Sequence, residues 1–555
     1  MSANVNRLAG LWLVPFLTAA TLAAAAAEPD LRLANAVADQ DKAVVRKLLK
    51  QGVDVNAARA DGVTALLWAA HFNDLETIDM LLGAGAKVNA ADDHGVTPLA
   101  QASENANLAM VERLLAAGAD PNAAQASGLT PLMIATHTGS VHVVKALLTR
   151  GANVNAATIE TQNTALMWAI TDQHADIARA LIEAGADVHA SSSRGFTPLM
   201  FAARNGDIEM AKMLIATGVK VNETAPDGTH VLPFAIVSNQ GAFAMFLVEQ
   251  GADPNGAMDG VRPLHAAAGG VDLWLADWNR RHGGFSGITA GGTFGRGPAN
   301  GLELVKALLA KGADVNAKIN TSAMLMNYIG YPKKGAFEPF ACGTGDLRGV
   351  TPLWVAAYAA NGNVAGFGGD AAAQVEASAG RRATGNPQTG DIIKSLLAAG
   401  ADQRLTTDDG TTPLMVAAGL GRSTFDPALK RGRRSQGAEE AVKILLDSPG
   451  ADINAVNEAD FTALHGAAFR GLNEVIQMLV ERGANINARD FRGRTPYRLA
   501  EGSKQSFQFQ AYPETADFLK KLGADTRLGI PGTVQERNRD VLAAAANAKQ
   551  EYKNK

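Results

Sequence analysis

A chain of 555 residues is longer than one hydrophobic core normally organises, so several domains or a repeat array are expected. Hydrophobic residues at 47% and charged residues at 19% exclude a disordered chain, and a net charge of -4 argues against wholesale nucleic-acid binding. The single cysteine, Cys342, excludes an intramolecular disulfide and a cysteine-based zinc site.

The chain opens with one positive charge at Arg7, an uncharged apolar stretch from Leu8 to Ala27, and an Ala-x-Ala exit at Ala25 and Ala27. That order predicts a secretory signal over 1–27, cleaved before Glu28, with an uncleaved membrane anchor as the competing expectation. After cleavage no segment reaches spanning length. An exported, disulfide-free chain points to a periplasmic or secreted protein, in keeping with a bacterial source.

From Leu31 the sequence repeats. "DGVTALLWAA" begins at Asp61, "HGVTPLAQAS" at His94 and "SGLTPLMIAT" at Ser127, with Gly62, Gly95 and Gly128 recurring every 33 residues. The glycine serves a tight turn, threonines such as Thr97 and Thr130 cap a helix, and Pro98 or Pro131 takes a first helical position that needs no donor. A second helix follows, with paired leucines such as Leu81 and Leu82, and Gly85, Gly118 or Gly151 ends it. With degenerate copies at Thr158 and Ala225 and a half-cap at Leu31, about twelve units are expected, each burying its apolar stripe on its neighbours.

The G-x-TPL-x-x-A start, the leucine pair and the GADVNA finish closely resemble the ankyrin repeat, over Leu31 to Arg527. The resemblance implies an all-α solenoid of helix-turn-helix units with β-turn fingers, carrying long loop insertions. It also implies protein recognition without chemistry of its own, and structural roles for His265 and His465. Regular repeats are expected over 28–257, repeats with long insertions over 258–455, C-terminal repeats over 456–527, and a polar helical or disordered tail over 528–555.

Walker A, HExxH and GxSxG patterns are absent, and His137 and His142 lack a carboxylate or cysteine that would complete a metal site, so no enzyme, cofactor or metal is expected. Trp68, Ile134, Trp168, Phe201 and Phe234 share one repeat position and are expected to pack in the core. Just beyond it lie the residues that the resemblance places in a concave groove: His71 and Phe72, Glu104 and Asn105, His137 and Thr138, Arg204 and Asn205, Phe469 and Arg470. They vary while the framework stays constant, which suits recognition of a partner protein.

The regular span from Pro131 to Gly151 lengthens to Pro263–Gly312, Pro352–Gly400 and Pro413–Gly450, so three successive units carry insertions between their helices. These are expected to bulge from one edge and meet there. A fourth insertion enlarges the finger near 319–347. Trp274, Trp278, Phe285 and Phe294 predict an ordered first insertion, and Tyr328, Tyr331, Phe337 and Phe340 an ordered finger. The Gly- and Ala-rich stretch after Asn363 predicts a flexible one. With Arg280, Arg281, Arg431, Arg433 and Arg434 the edge is basic and aromatic, the composition binding hot spots favour. Trp274 and Trp278 also raise an alternative, stacking on the sugar rings of a glycan or cell-wall ligand.

Overall fold

The computed structural model describes residues 29–282, 298–321, 347–361, 388–421, 435–502 and 512–529. The expected signal segment, Phe285, Phe294, the expected finger insertion with Cys342, the stretch after Asn363, the basic run at Arg431, Arg433 and Arg434, and the tail beyond Gly529 lie outside them. Two compact units are found, one ending at Ala126 and one beginning at Ser127. Among the described residues the first contains three helix pairs and the second nine, and there is no strand beyond isolated bridges such as Ala58 with Thr64. None of their helices is long and apolar enough to cross a membrane.

Eight of the first helices start alike. Thr64, Thr97, Thr130, Thr164, Thr197, Thr351, Thr412 and Thr462 hold extended backbone, and each hydroxyl accepts from the amide three residues on. Such a cap contributes about 1 kcal/mol. Asp41, Asp74, Asn107 and Asp207 cap second helices the same way. In the first unit the first helices Arg32–Ala38, Ala65–His71 and Pro98–Glu104 stack in a row. In the second unit the row runs from Pro131–His137 through Pro352–Ala359 to Pro496–Gly502. Ala69, Ala70, Ile78, Leu81, Leu114, Leu147 and Leu181 are fully buried between successive pairs, so the small alanines set the close approach and the branched residues supply apolar area.

Two devices lock the turns. An oxygen at the finger base gathers the turn amides: Asp92 Oδ1 accepts from His94 N at 2.9 Å and Val96 N at 2.8 Å, and Asn457 Oδ1 accepts from Ala459 N and Phe461 N. Gly62, at φ +82°, lets neighbouring fingers touch, since a Cβ there would lie 2.9 Å from Asp92 Cα. Between copies runs an asparagine ladder. Asn56, Asn89, Asn155, Asn222, Asn255, Asn316 and Asn454 each donate to the carbonyl of the next copy's terminal glycine and accept the amide two residues beyond it. His189 stands at this position in one copy and pairs with Glu223 at 2.7 Å instead.

His265 and His465 are fully buried and structural. His265 Nε2 lies 3.0 Å from Ala317 O and 3.2 Å from Val350 O, and Nδ1 accepts from Arg262 N. Burial pushes its pKa down to about 4, so the ring is neutral with its proton on Nε2. His465 joins Thr462 N to Arg494 O in the same manner.

Candidate partner-binding surface

In the first unit the end of one first helix presents an aromatic cluster. Trp68 and Phe72 stack at 5.6 Å and 14°, His71 stands edge-on to both, and the Arg59 guanidinium lies 5.8 Å over the Trp68 ring. His71 is exposed, and Trp68 and Phe72 are half-buried. The i, i+3 and i+4 spacing puts all three on one helix face. The Trp68 indole N–H is itself shielded and has no acceptor. One copy on, Glu104 is exposed and accepts from Gln101.

Asn105 serves the frame. Its Nδ2 donates to Ala70 O at 2.9 Å and His71 O at 3.2 Å, carbonyls at the end of the preceding first helix that have no amide four residues on to pair with. Asn205 does the same to Ile170 O and Thr171 O and Gln240 to Arg204 O, whereas Asn361 reaches forward, to Val416 O and Ala417 O at the end of the following first helix. Asn105 and Asn205 are therefore tied down by these clips, and Gln240 and Asn361 extend the set beyond what the sequence reading named. The available signal was an amide recurring at or just after the end of a first helix.

In the second unit His137 is exposed, 2.8 Å from Asp172 Oδ2 and edge-on to the half-buried Trp168 at 5.4 Å. Arg204 is half-buried, its guanidinium 5.9 Å over Phe201, and burial pushes its pKa down. Phe469 and Arg470 are half-buried, with Arg470 against Gly419. The shared aromatic position divides: Phe234, Ile134 and Phe201 are buried, as expected of core, while Trp68 and Trp168 reach the surface.

The first insertion corrects the sequence reading. Its described part, Gly269 to His282, lies across the first-helix row of the second unit and does not bulge away from it. Trp274 is 1% exposed, donates to Leu347 O at 3.1 Å and stands edge-on to Trp354. Trp278 is 0% exposed, donates to Thr229 Oγ1 at 2.9 Å and packs on Phe196 and Phe234, each at 6.0 Å. Their N–H groups satisfied and their faces covered, neither tryptophan is presented to a partner or a sugar ring. The apolar side chains that suggested a contact patch are buried by the chain's own helices because that removes them from water.

The rest of the segment follows from this placement. Beneath it the position that Trp68, Gln101 and Trp168 hold half-buried becomes Phe234, Ala266 and Val355, each at most 3% exposed. Arg280 and Arg281 stay exposed but paired, with Asp277 and with Asp259, each at 2.8 Å. Burial pushes the Asp272 carboxyl up to about 6. His282, 7% exposed, stacks on the Trp278 indole at 4.0 Å and 15° and places Nε2 3.2 Å from Asp227 Oδ2.

A family model for ankyrin repeats in three copies matches residues 33–125, 109–192 and 188–258; a many-copy ankyrin-repeat model matches 438–500 and a single-repeat model 409–458. Among curated proteins, the chain is 33% identical over 129 residues to alpha-latroinsectotoxin-Lt1a of Latrodectus tredecimguttatus, covering 23% of this chain and 8% of that protein. It is 40% identical over 111 residues to an ankyrin repeat-containing protein of Schizosaccharomyces pombe, covering 20% and 45%. It is 31% identical over 100 residues to cortactin-binding protein 2 of Rattus norvegicus, covering 17% and 6%. The matched stretch thus spans less than half the length of each relative.

Proposed function

Because the chain belongs to the ankyrin-repeat family, we propose that it is a non-catalytic scaffold recognising a partner protein through the exposed ends of its first helices. Ankyrin repeats generally mediate protein–protein interaction, and one relative is named for binding cortactin. The observation that carries the reading is the Trp68, His71 and Phe72 cluster. It is a half-buried aromatic group with an arginine over it and an indole donor lacking an acceptor, mounted on a rigid capped helix. Aromatic anchors on a preorganised frame are what protein interfaces use most. His137, Asp172 and Trp168 form a corresponding polar and aromatic group in the second unit.

The apolar Leu8–Ala27 segment and its Ala-x-Ala exit support an exported protein whose partner lies in the cell envelope. Affinity capture from the native envelope tests both parts. Phe72→Ala with His71→Ala is expected to reduce recovery of the captured partner at least about tenfold, as loss of an aromatic anchor of about 1.4 kcal/mol or more requires. Equal recovery with the double variant would remove this cluster from the surface.

A further inference from the structure

The first unit carries its charges unevenly. Between residues 29 and 126 stand 13 acidic and 8 basic side chains, a net charge of -5. Of the bases, only Arg32 and Arg59 lie on a first helix or a finger; the others lie on second helices or in the loop that follows one. Three of those others are paired, Lys42 with Asp74 and Glu76, Arg46 with Glu76, and Arg113 with Asp79.

The face that holds the aromatic cluster is the reverse. Asp39 follows the first helix before it, and Glu104 ends the first helix after it. Asp61 and Asp93 sit on adjacent fingers, joined by the bond from Asp93 N to Asp61 O at 3.0 Å. All four are exposed, and among the described residues the ion pairs of this unit include none of them. Asp61 accepts from the Val63 amide and Glu104 from the Gln101 amide, both neutral donors. Asp92, bonded to the amides of its own turn, adds a fifth carboxylate. Against these stand Arg32, held by Asp30, and Arg59, which pairs with no carboxylate and lies over the Trp68 ring.

We propose that the partner protein presents a basic stretch to this face: a lysine or arginine takes the place of Arg59 over the Trp68 and Phe72 rings, and its neighbours pair with Asp39, Asp61, Asp93 and Glu104. The inference rests on the reading of the aromatic cluster as the partner surface. Arg59 already shows what the indole accepts, a guanidinium 5.8 Å from the ring centroid. No carboxylate fixes it there, so an incoming cation displaces it against only the weak cation–π attraction of an exposed site.

Two other occupants fit less well. An acidic stretch drawn by Arg59 would set its carboxylates against four others for one favourable pair, and like charges across an interface are costly. A metal ion needs ligands that converge, and no group of three acidic, histidine or cysteine side chains does so among the described residues. Packed first helices lie about 10 Å apart, so Asp39 and Glu104 stand on the order of 20 Å from each other with His71 and Phe72 between them. Carboxylates so spaced are met by a run of bases and not by one ion.

Selection of random displayed dodecapeptides on the immobilised full chain, with Phe72→Ala/His71→Ala selected in parallel, supplies the probe. Peptides that need the cluster are expected to carry arginine and lysine in excess of acidic residues. Their affinity, read by fluorescence anisotropy, is expected to fall about fivefold in Asp93→Asn/Glu104→Gln, as loss of two exposed ion pairs implies. Arg59→Ala decides the sign. Removing the resident cation is expected to tighten binding about two- to fivefold, the worth of an exposed cation–π contact, whereas a surface for acids would lose affinity. Cluster-dependent peptides without an excess of bases, or weaker binding by Arg59→Ala, would overturn the basic partner and leave the scaffold reading standing. If no selected peptide needs the cluster, the surface reading falls and this inference with it.

Discussion

Replacing Trp278 by alanine should release the segment Val271 to His282 from the helices beneath it without unfolding the repeats. The indole is fully buried, and an aromatic side chain of its class buries about 150–250 Å², which at roughly 25 cal/mol per Å² is about 4–6 kcal/mol. Truncations of this kind cost about 3–5 kcal/mol. The hydrogen bond to Thr229 adds little, because the Thr229 hydroxyl keeps its bond to Asp227. His282 also loses the ring on which it stacks. A loss near 4 kcal/mol lowers the closed-to-open ratio by about 10³. The repeats keep their capped helices and clips, so the cost falls on docking. Trypsin reads it directly, since Arg280 and Arg281 are held on a closed helix in the unmodified chain and become cleavable when that helix leaves. The variant should be nicked there orders of magnitude faster, with far-UV circular dichroism unchanged. Nicking at the original rate would refute the claim that Trp278 holds the segment down.

His189→Asn restores the ladder amide in the one described copy where a histidine takes its place, and should raise the urea midpoint by the equivalent of about 1 kcal/mol, since the new bonds to Gly218 and Lys220 are exposed. A lower midpoint would show that the His189 pair with Glu223 outweighs the clip. Asp409 is buried, one oxygen accepting from Thr407 and Thr411 and the other without a partner, and burial pushes its carboxyl up to about 6. Its folded value lies above the unfolded one, so its contribution is fully present below about pH 4 and is lost as pH rises through about 6. The loss is on the order of 3 kcal/mol. Asp409→Asn should flatten that limb of the urea-stability profile between pH 4 and 7, and an unchanged slope would place the titration elsewhere.

The frame was legible because each of its signals is local. Thr97 caps the helix that Pro98 begins, Gly62 makes the turn it precedes, and Leu81 lies one face away from Asp79, so short stretches specify short elements. Asn155 and its counterparts could also be counted, although their bonding to the next copy was not read from them. The route of the first insertion was not legible. Spacing from Pro263 to Gly312 fixes how many residues leave the repeat but not which way they turn. That direction depends on a surface assembled from Phe196, Phe234 and Val355, which are far apart in sequence. A trace of it was present: Gly269 and Gly270 at the root, and a shift from Trp68 and Trp168 to Ala266 and Val355 at one position. Asn105 and Asn205 were read as variable contacts because an exposed-looking amide gives no sign of the carbonyls it reaches.

Stacks whose members touch only their immediate neighbours unravel from an end, one element after another. Segment 271–282 alters that economy of failure, because it joins Phe196 to Trp354 without passing through the copies between them. While it is seated, those copies should melt as one cooperative block, and their assembly carries the slow loop closure that distant contacts impose. Once it lifts, the same stretch reverts to piecewise fraying.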